Sequence, residues 1–538
     1  MVTEAKYACE VVNYFNKQLA VRKDHTVASQ TFRYMAPGTK FSGYELFVEE
    51  PSRKVWMRTE DGWVTALWPN SAQISSGVGT TERVKYTIID SGEPPAVSGD
   101  VISVMVTYDD GSTQEFVKKT GKFFDLHPFI EAHPEAVFIK RTNVPAKTDA
   151  QAKQNVGSDF AKEVFVYGTM EGIPLSHKIA IKANVTYTVG KGNTPEGMGI
   201  ITDVDFTEGL IEGMKGMGFQ SNNMYLREGN WLKDGFCPED VMYSGYPEMA
   251  DRTGIHSLYF SSGPRITDLT LKTLEEGSEV VWKEPPDGVV FKRIGYVSPY
   301  NQEDSWLLNV SKFKTHYMGM TLCAKNLQGM CVTPHVHFCE GVDATLKHPE
   351  HILKDFQPDF VDQITTLHAQ HLNAGYPRWD RPGKGFAGGY GMETWAQRTC
   401  DSLSVTEAGL HVIEGIYGRN GNGFMNGPKP DGAPEDFMTN VLIFGKDPFR
   451  VDIIGTWLAG HEPDNFGFFH IAKERGLSTV VNPRDIPVYR WDKDNPEQIS
   501  LNELERTPLV TPYLCRDYNG QTEAQYHLVD EPFDYQAF

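Results

Sequence analysis

Between about Phe41 and Lys119 the chain alternates apolar and polar positions in short runs, as in KVWMRTEDGWVTALW and DVISVMVTYDDGSTQEFVKK. A period of two marks half-buried strands, and Asp110-Gly111 in the second run is a tight-hairpin signal. Residues 1–142 therefore read as a β-rich N-terminal domain, a small sandwich or barrel. The stretch NVPAKTDAQAKQNVGSD is polar and carries no apolar period, so a linker is expected over 143–160.

Beyond it the two periods alternate. SHKIAIKANVTYT reads as a strand, and TDVDFTEGLIEGMKGMGF as a helix capped by Asp203 with glycines crowding its last turn. A strand at SWLLNVSKFK, a helix at QPDFVDQITTLHAQHLNAG, a strand at TNVLIFG and a helix at DPFRVDIIGTWLAG follow. This order predicts an α/β domain over 161–538, a mostly parallel sheet with helices on both faces.

Composition narrows the function classes. With 538 residues the chain exceeds what one core supports, and 40% hydrophobic with 23% charged residues is ordinary for a soluble globular protein. A net charge of −20 argues against nucleic acid or an anionic membrane as a general partner. Seven scattered cysteines make no disulfide framework, which favours a reducing, cytoplasmic setting. MVTEAKYACEVVNYF shows no export signal and no run approaches a membrane span, although a chain trimmed of its signal would read the same way.

Against that acidity, SWLLNVSKFKTHYMGMTLCAKN sets cations at the end of an apolar run. In a regular strand Val310, Lys312, Lys314 and His316 share one side, with Phe313, Thr315 and Tyr317 on the other. The carboxyl ends of strands are where open α/β sheets bind ligands, so the cations there imply a small anionic molecule. Lysines guarding an edge strand would look alike. Recurrence favours the first reading: Lys182 and Asn184 end another apolar strand, and Lys325-Asn326 follows the first motif.

The ordered motifs IKANVT, ITDVDFTEGLIEGMKGMGF, GYPEMADRTGI, SKFKTH with AKNLQG, IEGIYGRNGNGFMNG and FGKDPFRVDIIGTWLAG with AKERGLS resemble the family known as domain of unknown function 362, over about residues 165–490. The resemblance singles out Lys182, Asn184, Thr202, Lys314, Thr315, His316, Lys325, Asn326, Gly329, Glu414, Gly415, Asp447 and Asp452. Glu407 stands where the family more often shows Asp. The family is uncharacterised and named partly for iron–sulfur members, whose closely spaced cysteines hold the cluster. Here no two cysteines are closer than eight residues, so no iron–sulfur cluster is expected.

Each candidate also has a bland reading. Asp447-Pro448 suits a helix start. Asp452 falls among Val451, Ile453 and Ile454, and a carboxylate buried there needs a partner, for which a strand-end lysine is the expectation. The glycines 415, 418, 421, 423 and 427 can cradle an anion, but Pro428 and Pro430 follow instead of a helix, so neither the dinucleotide nor the P-loop context is met. Cys331, His335, His337 and Cys339 share a face if extended and are ligand types for a zinc-like metal ion, in no standard zinc spacing.

Two classes of function follow. In the first, an enzyme holds a small anionic substrate: Lys182, Asn184, Thr202, Lys312, Asn326 and Gly415 bind it, while His316, Lys314, Lys325, Asp452 and Glu414 do the chemistry. In the second, a binding or surface-interaction protein makes its contacts through the β-rich N-terminal domain.

Overall fold

The computed structural model describes residues 7–11, 19–23, 30–49, 54–68, 81–82, 84–88, 104–107, 113–116, 123–169, 172–186, 194–228, 244–259, 280–316, 318–332, 335, 341–377, 379–385, 388–407, 409–421, 429, 431 and 433–510. The chain divides into two compact units, residues 1–123 with 168–174, and residues 124–167 with 175–538.

The first unit is β-rich. Its largest sheet runs Thr31–Met35, Leu19–Arg22, Trp63–Trp68, Lys54–Arg58, Glu45–Glu49, with Thr81–Glu82 also on Trp63–Trp68. Val21, Val55, Trp56, Met57 and Val64 are buried; because Val55, Trp56 and Met57 are consecutive, both faces of that strand are covered there, not the single inner face that alternation predicts. The Asp110-Gly111 turn lies outside the described residues; Val104–Thr107 and Thr113–Phe116 on either side pair antiparallel.

The second unit is built on a ten-stranded mixed sheet. In chain order its strands are β1 (Val137–Arg141), β2 (Lys178–Ala183), β3 (Met224–Glu228), β4 (His256–Tyr259), β5 (Ser305–His316), β6 (Gly319–Thr321), β7 (Leu410–Arg419), β8 (Asp436–Gly445), β9 (Val488–Arg490) and β10 (Glu497–Gln498). They lie in the order β4-β3-β2-β5-β7-β8-β1-β9-β10, with β6 folded back on β5. From β4 to β7 the strands are parallel; β8 runs against both β7 and β1. β1 and β9 are also parallel, so the expected mostly parallel sheet with helices on its faces is present, with β8 as an antiparallel strand inside it.

Helices cover both faces. On one, Gly455 of the helix Pro448–Leu458 packs so tightly that a Cβ would meet Ile413 Cδ1 at 2.6 Å. On the other, Phe160 of α1 (Ala150–Val164) stacks edge-on to Phe444 with centroids 5.0 Å apart. Asp447 caps the Pro448–Leu458 helix by accepting from Phe449 N and Arg450 N, and Asp203 caps α2 (Val204–Met217) through Phe206 N. Both caps agree with the sequence reading. No helix among the described residues is long and apolar enough to cross a membrane.

The expected linker over 143–160 is corrected. Most of it is α1, which packs lengthwise on α2, and β1 already belongs to the large sheet, so the first division falls at 123/124 and not at 142. The stripe that α1 buries is Lys153, Gly157, Phe160, Ala161 and Val164. Its spacing is helical, but a lysine and a glycine stand at two of five positions, which erases the apolar period.

Glycine lets the two helices approach. A Cβ on Gly157 would sit 2.1 Å from Phe206 O, and one on Gly209 2.0 Å from Gln154 O. Gly209→Ala is therefore expected to destabilise by about 1–3 kcal/mol, overpacking outweighing the helix-propensity gain of roughly 1 kcal/mol. Urea denaturation measures this, and an unchanged midpoint would contradict the close packing.

Candidate functional site

The carboxyl ends of β2, β3 and β5 bring together side chains far apart in sequence. Lys182, one residue from the end of β2, is almost fully buried and donates to Glu228 Oε2 at 2.7 Å, Ala183 O at 2.7 Å and Asn326 Oδ1 at 3.1 Å. Asn326 Oδ1 also accepts from Asn184 Nδ2 at 3.1 Å, while Asn184 Oδ1 accepts from Lys314 Nζ at 2.9 Å. Asn326 Nδ2 in turn donates to Lys182 O at 2.9 Å and Asn309 Oδ1 at 2.8 Å. One continuous network thus runs from Glu228 to Lys314. Burial pushes the Glu228 carboxyl up and the Lys182 ammonium down, each against the pull of its partner.

The backbone around this network is matched to it. Thr202 Oγ1 accepts from Asn184 N at 2.9 Å and donates to Val310 O at 2.8 Å, tying the end of β2 to β5. A Cβ at Gly329 would stand 2.2 Å from Glu228 Oε1 and 2.9 Å from Lys182 Nζ, so only glycine fits there. The sequence reading missed Glu228. It ends the buried strand MYLRE as Lys182 nearly ends KIAIKA, and that rule applied to acids would have found it.

Lys314 also donates to Ile200 O, is buried, and is pushed well below the ordinary lysine range by burial, then by Lys325, Arg419 and Lys312. His316 is pushed well below the usual imidazole range by burial, then by Lys325 and Lys314. Its Nδ1 accepts from Met318 N at 3.1 Å, so the proton of the neutral ring sits on Nε2. Lys325, half-buried on α3 (Cys323–Asn326), donates to Gln328 Oε1 at 3.4 Å and lies 5.9 Å from the Trp395 ring. Lys325 is thus close enough to oppose protonation of both Lys314 and His316, and Lys314 that of His316.

Lys312, though near enough to Lys314 to oppose its protonation, is engaged elsewhere. The β5–β7 pairing shifts register between Lys312 and Lys314, and Lys312 donates to Glu414 Oε2 at 2.7 Å with both side chains fully buried. Its Nζ lies 3.4 Å from the Tyr417 ring centroid, and Tyr417 OH donates to Asp203 Oδ2 at 2.7 Å. Asp203 also takes Lys153 at 2.7 Å. Glu414 Oε2 further accepts from Asp203 N and Oε1 from Ile416 N, each at 3.0 Å. Glu414 is therefore engaged in a structural ion-pair cluster.

Asp452 is corrected too. Its partners are the amides of Cys323 at 2.6 Å and Ala324 at 2.8 Å, not a lysine, so it caps the short α3 that carries Lys325 and Asn326. Burial pushes its carboxyl up to about 8. A carboxyl raised from 3.8 has its stability fully present at low pH and lost as pH climbs through about 8. Asp452→Asn is expected to remove that alkaline loss, which urea denaturation at several pH values between 4 and 8 will show.

Gly415 and Gly418 are strand residues of β7, not loop. A Cβ on Gly415 would meet Val441 O at 2.9 Å. Gly421 has φ 101°, and Gly423 and Gly427 lie outside the described residues.

Of the expected metal quartet, Cys331 and His335 are described. His335 Nδ1 accepts from Gly295 N at 3.1 Å, and its Nε2 lies 3.3 Å from Asp355 Oδ2 without a hydrogen bond between them. Cys331 is buried, its Sγ 3.8 Å from Ser402 Oγ and its thiol pushed up to about 12 by burial. His337 and Cys339 lie outside the described residues, and no group of three or more ligating side chains is found among the described ones.

Two surface cavities of about 560 and 350 Å³ lie elsewhere. Lys147, Arg419 and Asp436 line the first, Asp464 and Glu474 the second, and none of Lys182, Lys314, His316 or Lys325 lines either.

The fold and the buried lysine–asparagine network define an α/β protein with its polar residues at the carboxyl ends of parallel strands. The family described as Domain of unknown function (DUF362) matches residues 179–457, slightly more than half of the chain, and the chain belongs to that family. The match begins in β2 and ends in the Pro448–Leu458 helix, so it spans the network and, apart from Lys153, the ion-pair cluster. No curated protein and no solved structure matches the chain.

Proposed function

We propose that this chain is an enzyme acting on a small anionic molecule at the carboxyl ends of β2 and β5. Lys314, His316 and Lys325 meet the anion, while Lys182, Asn184, Asn326 and Glu228 form the frame that holds them. The observation that carries this reading is the mutual proximity of three bases, two of them held below their ordinary protonation range by burial and by their neighbours. A fold gains nothing from crowding like charges, whereas an anion placed among them turns repulsion into attraction. Such a ligand restores protons to Lys314 and His316 as it binds. The same groups, poised to take up protons, can pass one to or from the bound molecule.

The test is titration calorimetry with inorganic phosphate and with propionate. Saturable binding with proton uptake, weakened about tenfold or more by Lys325→Ala at an unchanged melting temperature, is expected. Lys325 is chosen because it is half-buried and not part of the Lys182–Glu228 frame. Saturable binding of neither anion, or binding that Lys325→Ala leaves untouched, would remove the reading.

A further inference from the structure

Asp464 differs from every other buried carboxylate described in this chain. Glu228 and Glu414 have lysines, Asp452 has two amides, and Asp401 has three amides and Arg475. Asp464 is fully buried and neither of its oxygens has a hydrogen-bond partner. Buried polar groups are almost always satisfied, so two unmet oxygens on one carboxylate call for a partner that is not part of the fold.

Asp464 lines the cavity of about 350 Å³, together with Tyr376, His470, Lys473, Glu474 and Asp485. Three carboxylates stand there against Lys473, and behind Glu474 lies His371, whose bonds to Glu393 and Glu474 outweigh burial and raise its imidazole to about 9. His470 Nε2 donates to Asp464 O at 2.8 Å, and burial pushes its imidazole down to about 4, so it adds no charge at neutral pH. Glu474 is oriented by two donors, His371 Nε2 at 2.8 Å and Tyr376 OH at 3.0 Å, and His371 is itself anchored by Glu393 at 2.7 Å. Those donors hold Glu474 below the usual carboxylate range, hence charged. The Tyr376 and His470 ring centroids are 5.3 Å apart, and one face of Tyr376 is stacked on His371 at 4.4 Å.

We propose that this cavity binds a small primary ammonium compound, with Asp464 as its counter-ion and Glu474 as a second acceptor. A metal ion fits less well, since no three ligating side chains converge among the described residues, which include the whole lining. The volume suits a ligand of few heavy atoms, near the lower end of small-molecule sites. A single ammonium supplies three donors to two carboxylates.

The site carries a proton signature. Burial, then Glu462, and more weakly Asp485, push the Asp464 carboxyl up to about 8, against the opposing pull of Lys473 and Arg484. At pH 7 it is mostly protonated before binding, and an ammonium beside it releases that proton.

Calorimetry on the full chain at pH 7 with propylammonium, in two buffers of different ionisation heat, tests the proposal. Expected is saturable one-to-one binding with proton release, and no comparable binding of propionate or magnesium here. Asp464→Asn should weaken propylammonium binding about tenfold or more while melting no lower than the parent and leaving the phosphate titration unchanged. Asp485→Asn, at an exposed position, should weaken it severalfold and keeps the test available if the first variant does not fold. Unsaturable propylammonium, binding indifferent to both substitutions, or displacement of the amine by magnesium would each overturn the proposal.

Discussion

Replacing Lys312 by methionine is expected to destabilise the fold by about 3–5 kcal/mol, the cost of leaving a buried charge without its partner. Glu414, fully buried, would keep only the amides of Asp203 and Ile416, and Asp203 would remain close by as a second negative charge. Burial already pushes the Glu414 carboxyl up against the pull of Lys312. Without the lysine it should rise further, so the variant would lose most stability as pH rises above the ordinary carboxylate range. Combining Lys312→Met with Glu414→Gln should recover much of the loss, because both charges are then gone and similar volume remains. Denaturant unfolding of the two single variants and the double variant measures the coupling. A fully additive cycle would show that the pair does not interact as drawn.

Lys314→Met, two residues along the same strand, is expected to behave in the opposite way: stability near or above the parent, with anion binding lost. The two substitutions differ because the partners differ. Lys314 donates to neutral oxygens of Asn184 and Ile200, and the net effect of its surroundings is to push its proton off. Holding that amine below its ordinary range costs stability that the substitution returns, which offsets the roughly 1–3 kcal/mol for each acceptor left unsatisfied, so the exchange comes out near even or favourable. The sign with pH is fixed as well. A base whose folded pKa is depressed makes the parent gain stability as pH rises toward 10.5, and Lys314→Met should flatten that slope. A large drop in melting temperature that phosphate does not rescue would assign Lys314 to the framework and not to a ligand.

How much of this was legible beforehand depends on what local sequence can encode. Alternation marked the β-rich first unit, and the apolar runs at SWLLNVSKFK and TNVLIFG marked buried strands, because burial on one or both faces is written directly into hydropathy. The caps Asp203 and Asp447 were legible because capping acts within three residues. The ordered motifs carried the family, and with it Lys182, Asn184, Lys314 and Asn326, which the fold does join into one network.

What local sequence could not encode was partner choice. Lys312 and Lys314 look alike on a strand of period two, and only the register shift against β7 and the places of Glu414 and Asn184 give them opposite surroundings. Asp452 looked like a lysine's partner until the fold brought the amides of Cys323 and Ala324 to it, across 129 and 128 residues of chain. The helix α1 was hidden because its buried stripe contains Lys153, whose burial is tolerable only beside Asp203 and Asp205. A buried ionisable side chain has no hydropathy signature of its own. Its meaning lies in the group that meets it, and for groups separated by tens or hundreds of residues only the tertiary structure makes that introduction.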